Sequence, residues 1–278
     1  MINSSDIYHF LRPLTPTKLI DPTQKIRLGS TYDGGYVLYK PSLPKVDVIY
    51  AYGIENDITF EKSFCTAYGA VGRLYDHTID KLPEENNNLH FRKEGVGPEK
   101  KEMLNTVENH IIENGDQDKN LLLKMDVEGC EWQTLFEMSD HTLRKFQQIA
   151  IEVHYLGSGN KTKADLQLKT AVLNKLSNLF YLYHVHGNNC GDLFIQQGFK
   201  CPETLELTYV NKELLPDLGS TKYDVSFPTE FDSPNNPYMQ EVVLDYWPFC
   251  SENKRVELGM TPFFKRKFLK LKHGKRLF

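Results

Sequence analysis

Short apolar runs alternate with segments of helical spacing over the first two thirds of the chain. Val46–Tyr52, Leu121–Met125 and Gln148–His154 are short and mostly apolar, which is typical of strands buried on both faces. Ile58–Tyr68 and Lys163–Phe180 repeat apolar residues every three or four positions, which predicts amphipathic helices. Because strands and helices alternate, the pattern predicts an α/β fold with a mostly parallel sheet and helices on both faces.

Weaker patterns complete the predicted fold. The turn sequence Asp33-Gly34-Gly35 lies between two short apolar segments, residues 26–29 and 36–39, and predicts a hairpin. Further strands are predicted over residues 72–76 and 89–91, and further helices over 99–114 and 131–137. After residue 180 only strand patterns follow, at 181–185, 203–209 and 240–244, which predicts an antiparallel edge.

Composition narrows the class of protein. The chain has 278 residues and a formal net charge of −4, which disfavours a nucleic-acid partner. Five cysteines without a C-x-x-C pair favour a reduced, cytoplasmic protein, and we expect no signal peptide and no membrane span. We expect one domain over residues 1–278, with a lead-in hairpin within 1–40 and a basic tail over 253–278. The tail either packs on the body or makes a weak contact with an anionic surface.

The residues that end the predicted strands carry the chemistry. Gly53 follows the first buried strand, and Asp76 ends the next strand about 20 residues later, where an acid can accept hydrogen bonds from ribose hydroxyls. Neither G-x-G-x-x-G nor G-x-x-x-x-G-K-[ST] occurs in the chain, so the NAD and ATP fingerprints are missing. S-adenosylmethionine fits this pattern, because it has a ribose, an adenine and an amino-acid tail but no phosphates.

Four segments resemble the S-adenosylmethionine-dependent methyltransferases related to the FkbM family: Arg27–Tyr36, Tyr52–Asp57, Tyr75–Thr78 and Leu123–Trp132. The resemblance runs from about residue 24 to about residue 210. It implies a Rossmann-like sheet and an enzyme that methylates small molecules or sugars, often in polysaccharide or natural-product pathways. The chain departs from many methyltransferases by carrying Glu55 and Asp57 where they have further glycines.

The resemblance also implies residue roles around the cofactor. Gly53 and Glu55 would line its methionine end, and Asp76 would bind the ribose. Asp126 is also predicted to contact the cofactor. The turn that contains Gly95 would lie near the adenine, and Tyr36 would close over the cofactor from the hairpin.

Methyl transfer to an alcohol needs alignment of the reacting atoms and a base that removes the proton. His154 is the first candidate for the base, because imidazole titrates near neutral pH, and Asp126 is the second. Glu152 lies on the same predicted strand as His154 and joins the catalytic set. Glu128 either binds the substrate or, with Glu131, favours the N-terminus of the following helix.

A polar segment after residue 183 completes the predicted site. His184, His186, Asn188 and Asn189 would line the substrate pocket, and Cys190 follows them. A divalent metal held here, or by Asp126, Glu152 and a histidine, is conceivable but not favoured, since the spacing matches no standard zinc pattern.

The function expected is O-methylation of a hydroxyl on a sugar, a sugar nucleotide or a related small polar substrate. Two alternatives stay open: N-methylation of a small amine or a protein side chain, and a catalytically inactive Rossmann-like binding module.

Overall fold

The computed structural model describes residues 1–250, so the basic tail over 253–278 lies outside the described residues. The six α-helices of this part are α1 (Ser4–Leu11), α2 (Thr59–Tyr68), α3 (Val107–Asn114), α4 (Glu131–Glu137), α5 (Asp140–Arg144) and α6 (Lys163–Leu179). The strands are β1 (Lys25–Gly29), β2 (Gly35–Tyr39), β3 (Val48–Tyr52), β4 (Val71–Tyr75), β5 (Leu89–Arg92), β6 (Gly95–Val96), β7 (Leu104–Asn105), β8 (Leu121–Met125), β9 (Phe146–Val153), β10 (Phe180–Gly187), β11 (Leu193–Gln196), β12 (Phe199–Pro202) and β13 (Leu205–Asn211).

A seven-stranded sheet in the order β10-β13-β9-β8-β3-β4-β5 forms the centre of the molecule. Strands β5, β4, β3, β8 and β9 are parallel, and β13 runs antiparallel to both β9 and β10. The prediction of a Rossmann-like, mostly parallel sheet with an antiparallel edge is therefore confirmed. From β3 the chain proceeds outward to β4 and β5 and then returns to β8 on the other side of β3, so a switch point lies between β3 and β8.

Alternating side chains of the central strands supply two separate cores. Ile49, Ala51 and Leu122 face α2 and the β1–β2 hairpin. Tyr50 and Leu123 point to the opposite face, where they join a larger core with apolar residues of α1, α3, α4, α5 and α6. Helices thus cover both faces of the sheet, as predicted. None of the helices within residues 1–250 combines the length and the apolar character needed to cross a bilayer.

Several elements of the structure differ from the sequence prediction, and three of them illustrate why. The helix predicted over 99–114 begins only at residue 107, because Thr106 caps it through Asn109 N–H and because β6 pairs with β7 just before it. No strand forms over 240–244, where Leu244 is buried and its N–H bonds to Phe227 outside any strand pair. Helix α1 was not predicted, although Asn3 and Asp6 form a capping box at its start.

Candidate active site

The ends of β3 and β8 meet at Gly53. The Asp126 N–H donates to the Tyr52 carbonyl at 3.0 Å, and the Lys124 ammonium donates to the Gly53 carbonyl. Gly53 has φ +76°, and a Cβ there would lie 1.6 Å from the Asp126 carbonyl oxygen. Only glycine therefore allows the two strand ends to come this close, which makes Gly53 the floor of the crevice at the switch point.

Asp76 supports the loop that follows Gly53. One carboxylate oxygen accepts the N–H groups of Ile54 and Glu55, both at 2.9 Å. The other accepts the Thr78 N–H at 2.7 Å and the Thr78 hydroxyl at 2.6 Å. Burial alone would raise the pKa of Asp76, but the bonds from Thr78 and the backbone outweigh it and lower the pKa. These four bonds use the lone pairs of the carboxylate, so a ribose hydroxyl would have to share them, and ribose binding by Asp76 stays a prediction.

A cavity of about 140 Å³ lies beside this loop. It is lined by five of the six predicted cofactor residues, namely Gly53, Glu55, Asp76, Gly95 and Asp126. The sixth, Tyr36, does not line it: the side chain is buried, and its hydroxyl donates to Asp126 at 3.4 Å. Apolar side chains, including those of Val96, Leu104 and Val127, form much of the remaining wall.

A larger cavity of about 490 Å³ adjoins the first and shares Gly53, Glu55, Asp126 and Glu128 with it. The structure brings the predicted residues Asp126, Glu128, Glu152, His154 and Asn188 together in its wall. The hairpin turn and the Gly53 loop contribute two acids that the site prediction did not include, Asp33 and Asp57. The two cavities therefore meet at the crevice between β3 and β8.

The structure does not bring His184, His186 and Asn189 to either cavity. His184 lies between the Lys25 ammonium and the Asp232 carboxylate, each at 2.8 Å, and burial lowers its pKa to about 4. The Asn189 amide donates to backbone carbonyls, the nearest being that of Asn236 at 2.9 Å. Both residues are thus engaged by the segment after residue 223, which no local sequence pattern connects to β10.

His186 bridges two carboxylates, with Nδ1 at 2.9 Å from Glu206 and Nε2 at 3.2 Å from Glu241. Burial would lower the pKa of His186, but the bonds to the two glutamates outweigh it and raise the pKa to about 10. His186 is therefore a buried cation below the cavity wall.

His154 has a carboxylate oxygen facing each ring nitrogen. Nδ1 lies 3.3 Å from Glu131 and Nε2 lies 3.2 Å from Glu152. Although burial lowers the pKa of His154, the hydrogen bonds to Glu131 and Glu152 outweigh it and raise the pKa to about 11. An imidazolium that already holds both protons is not a general base at neutral pH, which argues against the role predicted for His154.

Glu152 is the better candidate for the base. Its side chain is 5% exposed and accepts the Asn188 amide at 3.0 Å. Burial, followed by the like charges of Asp126 and Glu206, raises the pKa of Glu152 to about 8, against the opposing effect of His154. Glu152 therefore changes charge near neutral pH. Burial also raises the pKa of Asp126.

Two groups of side chains have the spacing of metal ligands within residues 1–250. The donors of Asp126, Glu128 and His154 lie within 4.8 Å of one another, and so do those of Asp33, Glu152 and Glu206. A metal bound by the first group would have to displace the Nε2 proton of the His154 imidazolium, which faces Glu152, because ligation requires a neutral imidazole. In the second group both oxygens of Glu206 accept hydrogen bonds, from His186 and from Asn235. We assign neither group to a metal.

A mostly parallel sheet with two joined cavities at its switch point is the architecture of a Rossmann-like α/β fold. The family model described as the methyltransferase FkbM domain matches residues 19–183, more than half of the 278-residue chain. The chain therefore belongs to the FkbM methyltransferase family, as its motifs indicate, and it is a methyltransferase. No curated protein and no solved structure matches the chain.

Proposed function

We propose that the enzyme transfers a methyl group from S-adenosylmethionine to a hydroxyl of a sugar, a sugar nucleotide or a related small polar acceptor in the cytoplasm. The observation that carries this proposal is the pair of adjoining cavities that share Gly53 and Asp126. The smaller one has apolar walls suited to an adenosyl group, and the larger one has the polar walls that a hydroxyl-rich acceptor needs.

The cavity residues fit this cofactor. Gly95 has no side chain, and a Cβ there would lie 2.6 Å from the His77 ring, so glycine keeps the wall of the smaller cavity open. Glu55 and Asp126, at the junction of the cavities, would hold the ammonium of the methionine end. When bound, S-adenosylmethionine supplies an electrophilic methyl group that a correctly oriented nucleophile can attack in line.

Residues of the larger cavity remove the acceptor proton and hold the base in place. Glu152 accepts the proton of the acceptor hydroxyl, since a base whose pKa lies near the working pH is the most effective. The imidazolium of His154, 3.2 Å from Glu152, keeps the carboxylate in place and compensates its charge. Asn188 donates to the same carboxylate and limits its rotation.

Calorimetry and product analysis test the proposal in two steps. The full chain should bind S-adenosylhomocysteine, and a panel of sugars and sugar nucleotides incubated with S-adenosylmethionine should yield a product heavier by one methyl group in mass spectrometry. Absence of binding would refute the cofactor assignment. Binding without turnover of any acceptor would instead favour the inactive binding module.

A specific observation supports N-methylation as the second candidate. Asp33, Asp57 and Glu128 line the larger cavity in addition to Asp126 and Glu152, and such a wall attracts a cationic amine. Including small amines and lysine peptides in the same panel separates the two reactions, because the mass of the product identifies the methylated acceptor.

A further inference from the structure

Glu131, the first residue of α4, is fully buried beside the active site without lining either cavity. One of its carboxylate oxygens accepts the backbone N–H of His154 at 2.7 Å and lies 3.3 Å from Nδ1 of the same residue. The other oxygen accepts the Gly129 N–H at 2.7 Å. A single carboxylate thus joins the loop after β8 to the residue that follows β9.

Trp132 strengthens the same connection. Its indole N–H donates to the His154 carbonyl at 2.8 Å, so two consecutive residues of α4 hold the N–H, the ring and the carbonyl of His154. The loop between β8 and α4 has unusual backbone geometry, with φ +53° at Glu128 and φ +104° at Gly129. Such conformations persist only where the surroundings enforce them, and the bond from Gly129 to Glu131 is one such restraint.

A fully buried carboxylate is costly unless a charged partner and hydrogen bonds compensate it. For Glu131 the partner within ion-pair distance, among residues 1–250, is His154. Because Nδ1 is directed at Glu131, the opposite ring nitrogen, Nε2, faces the cavity. There it meets Glu152 at 3.2 Å, Glu128 at 3.6 Å and Asp126 at 3.8 Å.

We propose that Glu131 is a positioning residue for methyl transfer: it fixes His154 as an imidazolium whose Nε2–H is directed at the base Glu152. The inference rests on the proposed function of Glu152. It goes beyond a role of Glu131 at the N-terminus of α4, which would require only the bond to Gly129.

The test follows the ring nitrogens of His154 by NMR in the full-length protein labelled with ¹⁵N, from about pH 6 to about pH 12, so that a midpoint near 11 falls within the titration. The variant His154→Gln assigns the signal. In the wild type, His154 should keep both protons through pH 9. In Glu131→Gln, which preserves the shape of the side chain, the titration midpoint should fall by at least about one pH unit, because a charged partner is lost.

Glu128→Gln is the matched control. Glu128 also faces Nε2, but its side chain is 70% exposed, so water screens its charge and its removal should shift the midpoint less than Glu131→Gln does. Equal midpoints in the wild type and in Glu131→Gln would overturn the proposal. So would a wild-type His154 that titrates near its ordinary value, a result that can be read even if Glu131→Gln does not fold.

Kinetics separate this positioning role from a purely structural one. With an acceptor identified, Glu131→Gln should lower kcat by up to about a hundredfold and leave the KM for S-adenosylmethionine nearly unchanged, because the residue lines neither cavity. An unchanged kcat would contradict the proposal. The NMR result does not depend on turnover, so failure of the proposed function would show separately, as absence of S-adenosylhomocysteine binding.

Discussion

Substituting alanine for Gly53 tests the geometry on which the cofactor site depends. The new Cβ would lie 1.6 Å from the Asp126 carbonyl oxygen, whereas real Cβ atoms essentially never come within 3.0 Å of such an atom. The ends of β3 and β8 must therefore separate by at least the difference, 1.4 Å. This separation displaces Asp126, which would hold the ammonium of the methionine end, and a hydrogen bond to a charged group contributes about 1.5–3 kcal/mol. We therefore expect S-adenosylhomocysteine to bind about a hundredfold more weakly, which is roughly 2.7 kcal/mol.

Gly69→Ala is the control for the cost of placing alanine in the left-handed backbone conformation. Gly69 ends α2 with φ +69°, close to the φ +76° of Gly53, but a Cβ there meets no atom within 4 Å. Both variants lose about 1–2 kcal/mol from the left-handed conformation, and only Gly53→Ala adds the collision. Calorimetric titration, with chemical unfolding of both variants to check their stability, gives the comparison. Wild-type affinity in Gly53→Ala would refute the assignment of this crevice to the cofactor.

Three further predictions concern the acids of the site. Asp76→Ala removes the acceptor of four hydrogen bonds and should abolish detectable S-adenosylhomocysteine binding in calorimetry. Asp80→Ala is the control, because the Asp80 side chain is 88% exposed, and it should leave binding intact. Equal affinities of the two variants would exclude Asp76 from the site. The rate of methyl transfer should rise with pH through about 8, because Glu152 must lose its proton to act as a base. Glu152→Gln should lower the rate and remove this pH dependence. A variant that keeps the wild-type pH profile would exclude Glu152 as the base. Treatment with EDTA should leave activity unchanged, since a metal at His154 would first have to displace the imidazolium proton that faces Glu152; a loss of activity restored by Mg²⁺ would contradict this expectation.

Much of the sheet could be predicted because buried parallel strands are short and uninterrupted. The strand predicted over Leu121–Met125 has the same bounds as β8, and the helix predicted over Lys163–Phe180 ends one residue beyond α6. The short helix α1 has one turn's worth of buried residues, Ile7, Phe10 and Leu11, and was missed because its burial depends on α6 and the larger core. Local pattern alone does not reveal such tertiary support.

The site was predictable where topology alone determines it. The carboxyl ends of neighbouring parallel strands meet at one edge, so Gly53, Asp76 and Asp126 had to lie close together once the strand order was right. The ionic partners could not be predicted in the same way. His184 meets Asp232, 48 residues away, and nothing in the local spacing of β10 indicates that partner.

The register of the antiparallel edge adds a like charge to the burial that raises the pKa of Glu152. Glu152 on β9 lies opposite Glu206 on β13, and Glu206 lies opposite His186 on β10. The imidazole of His154 lies beside Glu152, and that of His186 lies beside Glu206, so the two carboxylates lie between two histidine cations. The negative charges of Asp126 and Glu206 oppose the ionisation of Glu152, and Nδ1 of His186 holds Glu206 in place at 2.9 Å. Glu152, the carboxylate that faces the cavity, therefore keeps its proton up to about pH 8, and His186 affects the chemistry of the site through Glu206 without lining the cavity.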